Sequence, residues 1–269
     1  MRKMKVSSPF GESPVFFKPE TESTMTDVKN LASQGLPSGT VVMAGHQLAG
    51  RGRFPDRKWH SVPGESLAFS LLFQVKDFPP ITGVIPLKAG LAVAMALEKE
   101  FGLEPEIKWP NDVFLKGRKA AGILVESREE HIFIGVGVNC GPKSYPKDLK
   151  KTAISLQEVT SRRFTPEDLL FPVLKQLKIW LSQSAESETA PPGWQEEIEK
   201  RLYAKGRTVT FLPGLSDGTG AFEAVILGIQ DDGMLLLKNE SWTAPRAFAN
   251  GELRYTPPKK SFFAKKEKQ

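Results

Sequence analysis

Lys108-Trp109-Pro110-Asn111-Asp112 packs a cation, an indole, a proline and two oxygen-bearing polar groups into five positions; Lys119 follows seven residues after Asp112, then Gly122-Ile123-Leu124. Asn111 and Asp112 suit hydrogen bonding and cation coordination, and a lysine on the next strand can hold an anion. Upstream, Gly50-Arg51-Gly52-Arg53-Phe54-Pro55-Asp56-Arg57-Lys58-Trp59 joins glycines that free the backbone to arginines whose guanidinium forks fit carboxylates and phosphates. Downstream, Gly135-Val136-Gly137-Val138-Asn139 places two glycines on one face of a strand, a mark of close approach by a ligand or a backbone. Each segment has an ordinary reading as well: an exposed strand lysine, an Asn-Asp turn, a solvated or nucleic-acid-contacting Arg/Gly loop. Their coincidence points to a site that activates an anion.

The elements that must position these residues follow from periodicity. Thr24 to Ala32 reads as a helix capped by Ser23 or Thr24 and ended by Gly35. Thr40 to Gly45 and Ser66 to Val75 are apolar strands that hold the Arg/Gly loop at both ends. Ile85 to Phe101 is a helix stopped by Gly102; Val113 to Leu115 and Lys119 to Glu126 flank Lys116-Gly117-Arg118 as a hairpin. From His131 to Val138, Ile132, Ile134, Val136 and Val138 point one way, and His131, Phe133, Gly135 and Gly137 the other. A helix from Pro166 to about Gln183, a polar linker from Ser182 to Pro192 and a helix from Trp194 to Tyr203 come next. Short runs at 207–212, 221–229, 233–238, 242–248 and 252–255, with an Asp232-Gly233 turn, predict a small all-β barrel.

With 269 residues, 40% hydrophobic and 25% charged, the chain has the composition of a globular protein with one sizeable core and a small second domain. The single cysteine, Cys140, allows no intrachain disulfide, and the longest apolar stretch, Ala89 to Leu97, is too short to span a bilayer; the expected location is cytoplasmic. The net charge of +6 owes +4 to the tail from Lys259 to Gln269, with five lysines and one glutamate, so the basicity does not require a nucleic-acid site. Residues 1–22 offer no helical periodicity long enough for a helix-turn-helix.

The chain resembles the biotin–protein ligases, of the monofunctional type without an N-terminal DNA-binding domain. The residues that carry the resemblance are Ser23-Thr24, Gln47 before Gly50-Arg51-Gly52-Arg53, Lys108 to Asp112, Lys119 with Gly122-Ile123-Leu124, and Gly135 to Asn139. It implies an α+β fold: a mixed β-sheet catalytic domain flanked by helices, of the class II aminoacyl-tRNA synthetase-like kind, over residues 1–203, an SH3-like barrel over 204–256, and a basic tail over 257–269. The implied reaction joins biotin to ATP as biotinyl-5′-AMP, releases pyrophosphate, and transfers biotin to a lysine of a biotin carboxyl carrier protein. Lys119 is expected to hold the biotin carboxylate against the α-phosphate, and Arg51 and Arg53, with Gly50 and Gly52, to form a lid over the phosphates. Ser23, Thr24 and Gln47 match contacts to the ureido ring, while Gly122, Gly135 and Gly137 leave room for the bicycle and its chain. Trp59 resembles the aromatic beside the adenylate, and Asn111 and Asn139 the polar groups near the nucleotide. Asp112 and Asn139 are the expected Mg²⁺ ligands, Asp112 also orienting or deprotonating the acceptor lysine. The strand Ile132 to Val138 parallels the family's dimer pairing, making a homodimer a further expectation.

Two departures stand out. Met25 occupies the position where the family has Asn, and Phe54-Pro55-Asp56 lengthens the loop by one residue and replaces its third glycine. Two other functions compete. A lipoate ligase would need an apolar tunnel without ureido partners, and a nucleic-acid-binding module would leave Lys108 to Asp112, Lys119 and Gly135 to Asn139 without a purpose.

Overall fold

The alternating run that starts at His131 forms a strand near the middle of the architecture. The computed structural model describes residues 1–54, 57–77, 82–181, 193–214 and 220–254; Pro55 and Asp56 of the arginine loop, the 182–192 linker and everything from Tyr255 through the basic tail lie outside the described residues. In chain order the elements are β1 (Arg2–Ser7), β2 (Pro14–Thr21), α1 (Thr24–Ser33), β3 (Val41–Gln47), β4 (Gly50–Arg51), β5 (Lys58–Trp59), β6 (Ser66–Gln74), α2 (Ile85–Phe101), β7 (Glu106–Lys108) and β8 (Asp112–Leu115). They continue with β9 (Arg118–Arg128), β10 (His131–Asn139), α3 (Leu156–Thr160), α4 (Pro166–Leu181), α5 (Trp194–Lys200), β11 (Thr208–Pro213), β12 (Phe222–Ile229), β13 (Leu235–Lys238), β14 (Arg246–Phe248) and β15 (Gly251–Arg254).

Eight strands form one mixed sheet in the order β1-β2-β3-β6-β10-β9-β8-β7, with β2 and β3 parallel. A parallel pair needs a crossover, and α1 supplies it. α1 lays Met25, Val28 and Leu31 on one face of the sheet, against Val42, Leu72 and Phe133. α2 and α4 cover the other face, where Ile132, Ile134, Val136 and Val138 point. α2 is apolar on almost every side because the sheet, α4 and α5 all pack on it. It ends at Gly102, whose φ of 63° suits a residue without a Cβ. α4 starts where Thr165 and Asp168 exchange backbone and side-chain bonds.

Residues 1–22 hold the strands β1 and β2 and no helix, in keeping with their lack of helical periodicity, although Pro14 and Pro19 break the pattern that would announce strands. β10 is bonded along both edges, to β6 and to β9, and so offers no free strand edge. The C-terminal strands take the expected number and the order β14-β13-β12-β11-β15, as in a small SH3-like domain, but among the described residues β14 and β15 do not pair and the expected barrel is not closed.

The second sheet shares its apolar core with the first. Trp109, 2% exposed, stands at the junction: its ring lies 6.3 Å from Phe211 and its Nε1 donates to the Gly233 carbonyl at 3.0 Å. Trp109→Phe keeps most of the apolar contact and strands the carbonyl, so unfolding stability should fall by about 1–3 kcal/mol. An unchanged urea midpoint and slope would show that this bond does not couple the sheets.

Candidate active site

The site begins where β2 runs into α1. Ser23 caps the helix, its hydroxyl accepting from Met25 N at 3.3 Å, and this brings Thr24 to the edge of a cavity. Thr24 donates from both its backbone N and its Oγ1 to Gln47 Oε1, at 2.8 and 3.0 Å, and its Oγ1 lies 2.8 Å from Ser70 Oγ. Three elements, α1, β3 and β6, thus contribute one polar cluster, buried at Thr24 and Ser70 and half-buried at Gln47. Ser70 was not anticipated, since one serine inside the apolar run Leu67 to Phe73 reads as core. Its register partner is Gly135, on the sheet face that α2 does not cover.

Lys119 reaches the same face through an irregularity. It is three residues from Gly122, and on a regular strand an odd separation puts side chains on opposite faces. The pairing of β8 with β9 shifts between Val113 and Phe114, Ala120 and Ala121 are both fully buried, and Lys119 emerges beside Gly122. A Cβ on Gly122 would lie 3.0 Å from Lys119 Nζ, which confirms the shared face. This β-bulge brings Nζ to 2.6 Å from Asp112 Oδ1.

The arginine loop folds over this face as a small ribbon. Gly50 pairs with Trp59 and Arg51 with Lys58, and Gly52 N donates to Arg57 O at 2.8 Å. Gly50 is needed for this closure because a Cβ would meet Trp59 O at 2.5 Å. Arg53 Nη2 donates to the Gly251 carbonyl at 2.6 Å, and Arg57 Nη2 stands 3.5 Å from Glu252 Oε2.

The room above the glycines is taken by the protein's own side chains. A Cβ on Gly137 would fall 2.3 Å from Trp59 Cε2, so the indole lies on the paired Gly122 and Gly137, while Gly135 accommodates the methyl of Met25, 3.0 Å from its would-be Cβ. Trp59 and Met25 line the same cavity as the glycines they rest on. Trp59 Nε1 is buried and finds no acceptor among the described residues.

The two asparagines use their amide nitrogens in the walls. Asn111 Nδ2 donates to Ile123 O at 2.7 Å, and Asn139 Nδ2 to Lys119 O and Ile154 O at 3.3 and 3.2 Å, tying the segment after β10 to β9. Their amide nitrogens brace the backbone that carries Lys119 and Asp112.

These parts enclose a cavity of about 970 Å³. Every expected site residue except Gly50 lines it, joined by Ser70, Phe114, Tyr145, Tyr203 and the β15 residues Gly251 to Arg254. Among the described residues, nine Lys and Arg side chains of its wall face only two carboxylates, Asp112 and Glu252. That excess suits a ligand with several negative charges. Burial lowers the pKa of the Lys108 ammonium and of the Arg53 guanidinium, opposed in both by Asp112 and Glu252. Cys140, behind the site, is fully buried and its thiol is pushed up to about 12 by desolvation, so it offers no nucleophile.

Residues 17–139 match the biotin/lipoate A/B protein ligase family. The biotin--[acetyl-CoA-carboxylase] ligases of Mycobacterium tuberculosis and Paracoccus denitrificans are 31% and 30% identical to this chain; each alignment covers 81% of it, and 80% and 91% of the respective relative. The bifunctional ligase/repressor BirA of Bacillus subtilis is 31% identical over 80% of this chain, which spans about two thirds (66%) of that relative's length. A biotin protein ligase from Aquifex aeolicus, solved in complex with biotin and ATP, superposes with a TM-score of 0.74 at 28% identity, over 89% of this chain and 97% of that one. With the motif order, the sheet and the cationic cavity in place, these likenesses establish that the chain belongs to the biotin/lipoate A/B protein ligase family, among its biotin–protein ligases.

Proposed function

We infer that the protein is an ATP-dependent biotin–protein ligase, which makes biotinyl-5′-AMP and passes the acyl group to a lysine of a biotin carboxyl carrier protein or domain. The observation that carries this reading is the placement of Lys119 in one cavity with the Thr24–Gln47–Ser70 cluster and the arginine loop. A ureido ring needs donors and acceptors around it, and the cluster offers hydroxyl and amide groups that are already oriented by one another. A valeryl chain running over Met25, Ile123 and Leu124, which line the same cavity, would bring its carboxylate towards Lys119.

In the first step a carboxylate oxygen bonds to the α-phosphorus of ATP, and the bond to the bridging oxygen of pyrophosphate breaks. Lys119 and the guanidinium groups of Arg51 and Arg53 offset the charge of two anions brought together, the largest electrostatic demand of the reaction. When the ligand carboxylate takes Lys119, Asp112 is released from its ion pair. In the second step the acceptor amine bonds to the acyl carbon and AMP leaves. A lysine is mostly protonated near neutrality, and Asp112, once free of Lys119, would orient it and accept its proton.

Magnesium fits as an ion that arrives with the triphosphate. Among the described residues no group of three or more His, Cys, Asp or Glu could hold a metal, yet Mg²⁺ beside phosphates commonly takes only one or two protein carboxylates. Asp112 would supply one, and Asn139, whose Nδ2 is bound to the wall, would offer its amide oxygen. When bound, the ion offsets charge on the departing pyrophosphate. The buried thiol of Cys140 fits a reducing, cytoplasmic setting, and no described helix is long and apolar enough to cross a membrane.

Mixing enzyme, ATP and Mg²⁺ with either biotin or lipoate tests the reading: pyrophosphate release should depend on biotin, and release with lipoate alone would overturn it. Lys119→Ala should slow biotin-dependent release by roughly 10²–10³-fold or more, and a near-normal single-turnover rate would reject its role. Thr24→Val should raise the KM for biotin by roughly tenfold, within the range for an unpaired buried polar group; an unaltered KM would place the ureido ring elsewhere. Arg53→Gly should open the lid and spread biotin to bystander lysines, a role ruled out by wild-type labelling of a non-acceptor protein.

A further inference from the structure

Both arginines that cross from the loop to the second sheet meet neighbouring residues of β15. Arg53 donates to the Gly251 carbonyl and Arg57 stands beside the Glu252 carboxylate, so one strand end meets both arginines. That strand end is stiff for a local reason. Gly251 has φ 153°, and a Cβ there would fall 2.3 Å from Phe211 Cζ and 2.8 Å from Leu212 O, so its backbone is pressed onto an aromatic cluster. In that cluster Phe211 lies 4.7 Å from Phe248 and 5.4 Å from Phe222. The backbone bond from Gly52 to Arg57 and the two-residue ribbon join the two arms that carry Arg53 and Arg57.

A carboxylate is out of place in a wall that must receive a carboxylate and a triphosphate, since it repels both. Asp112 is accounted for by Lys119. Glu252 needs a reason of its own, and its geometry turns it towards the loop: Oε2 faces Arg57, Oε1 lies 3.7 Å from Arg254, and its charge is also felt by Arg53 and Lys108.

We propose that Glu252 is a positioning residue of the lid: with the Gly251 carbonyl it clamps the turn bearing Arg53 and Arg57 onto the second sheet, and so sets how long the biotinyl-adenylate is retained. The inference rests on the ligase reading above and assigns the second sheet a part in it. Among the ties of the described residues that opening the loop breaks are a charge-assisted bond to a carbonyl and a partly exposed ion pair. Escape of the adenylate and arrival of the acceptor lysine both need that opening, so the strength of the clamp sets retention against transfer.

The test follows the bound intermediate. Wild type, Glu252→Gln, Glu252→Arg, Arg57→Glu and the reversed pair Arg57→Glu/Glu252→Arg are loaded with labelled biotin and MgATP and freed of excess on a desalting column. Decay of bound label, labelling of a bystander protein and first-turnover pyrophosphate release are then measured. Glu252→Gln should shorten retention about two- to fivefold, the weight of a partly exposed ion pair, and by a larger factor than it changes pyrophosphate release. The reversed pair should recover retention lost in Glu252→Arg, and added salt should shorten retention more in wild type than in Glu252→Gln. Unchanged retention in Glu252→Gln overturns the proposal, as does a loss that parallels pyrophosphate release and is not recovered in the reversed pair. A wild-type protein that releases no biotin-dependent pyrophosphate overturns the ligase reading itself, an outcome visible before any variant is compared.

Discussion

Lys119 can meet a ligand only because β9 carries a bulge. Without it, the alternation that places Gly122 on the open face of the sheet would turn Lys119 into the core, where an unpaired ammonium is not tolerated. The shifted register between Val113 and Phe114 lets two alanines, 120 and 121, take consecutive buried positions and sets the amine 2.6 Å from Asp112. That ion pair keeps the cation in place inside a wall where like charges crowd together. The bracing by Asn111 and Asn139 serves the same end, fixing the backbone on each side of the pair.

Much of this was legible in the chain. The helix Ile85–Phe101 and its Gly102 stop, the hairpin at Lys116-Gly117, and the two-faced strand from His131 follow from periodicity and from residues that tolerate positive φ. The motif residues themselves converge on one cavity. What could not be read is tertiary or local in a way that side-chain type does not announce. No glycine or proline marks the bulge at Ala120 and Ala121, and Ser70 hides in an apolar run. The contacts that Met25 and Trp59 make with Gly135 and Gly137 at the cavity floor are not announced by the sequence. A signal was present at α3, where Ser155 and Glu158 form a capping box.

The second sheet is part of the site's frame. It touches the chemistry-bearing segments at two places, through the Trp109 indole at Gly233 and through the arginine loop at Gly251 and Glu252. Both ties are between residues more than a hundred positions apart, so the cavity is finished only when the last described strand has docked. The shared apolar core makes that docking part of folding and not a later event.

β10 carries structure and function on alternate residues. Its aliphatic side chains hold α2 and α4, its glycines floor the cavity, and both of its edges are bonded. A slip of one residue would send the aliphatics into the cleft and the glycines beneath the helices, so such a misaligned chain lacks a core as well as a binding floor. Misregistered molecules are therefore eliminated by their own instability, and no long-lived, well-folded but inert population can accumulate from this source.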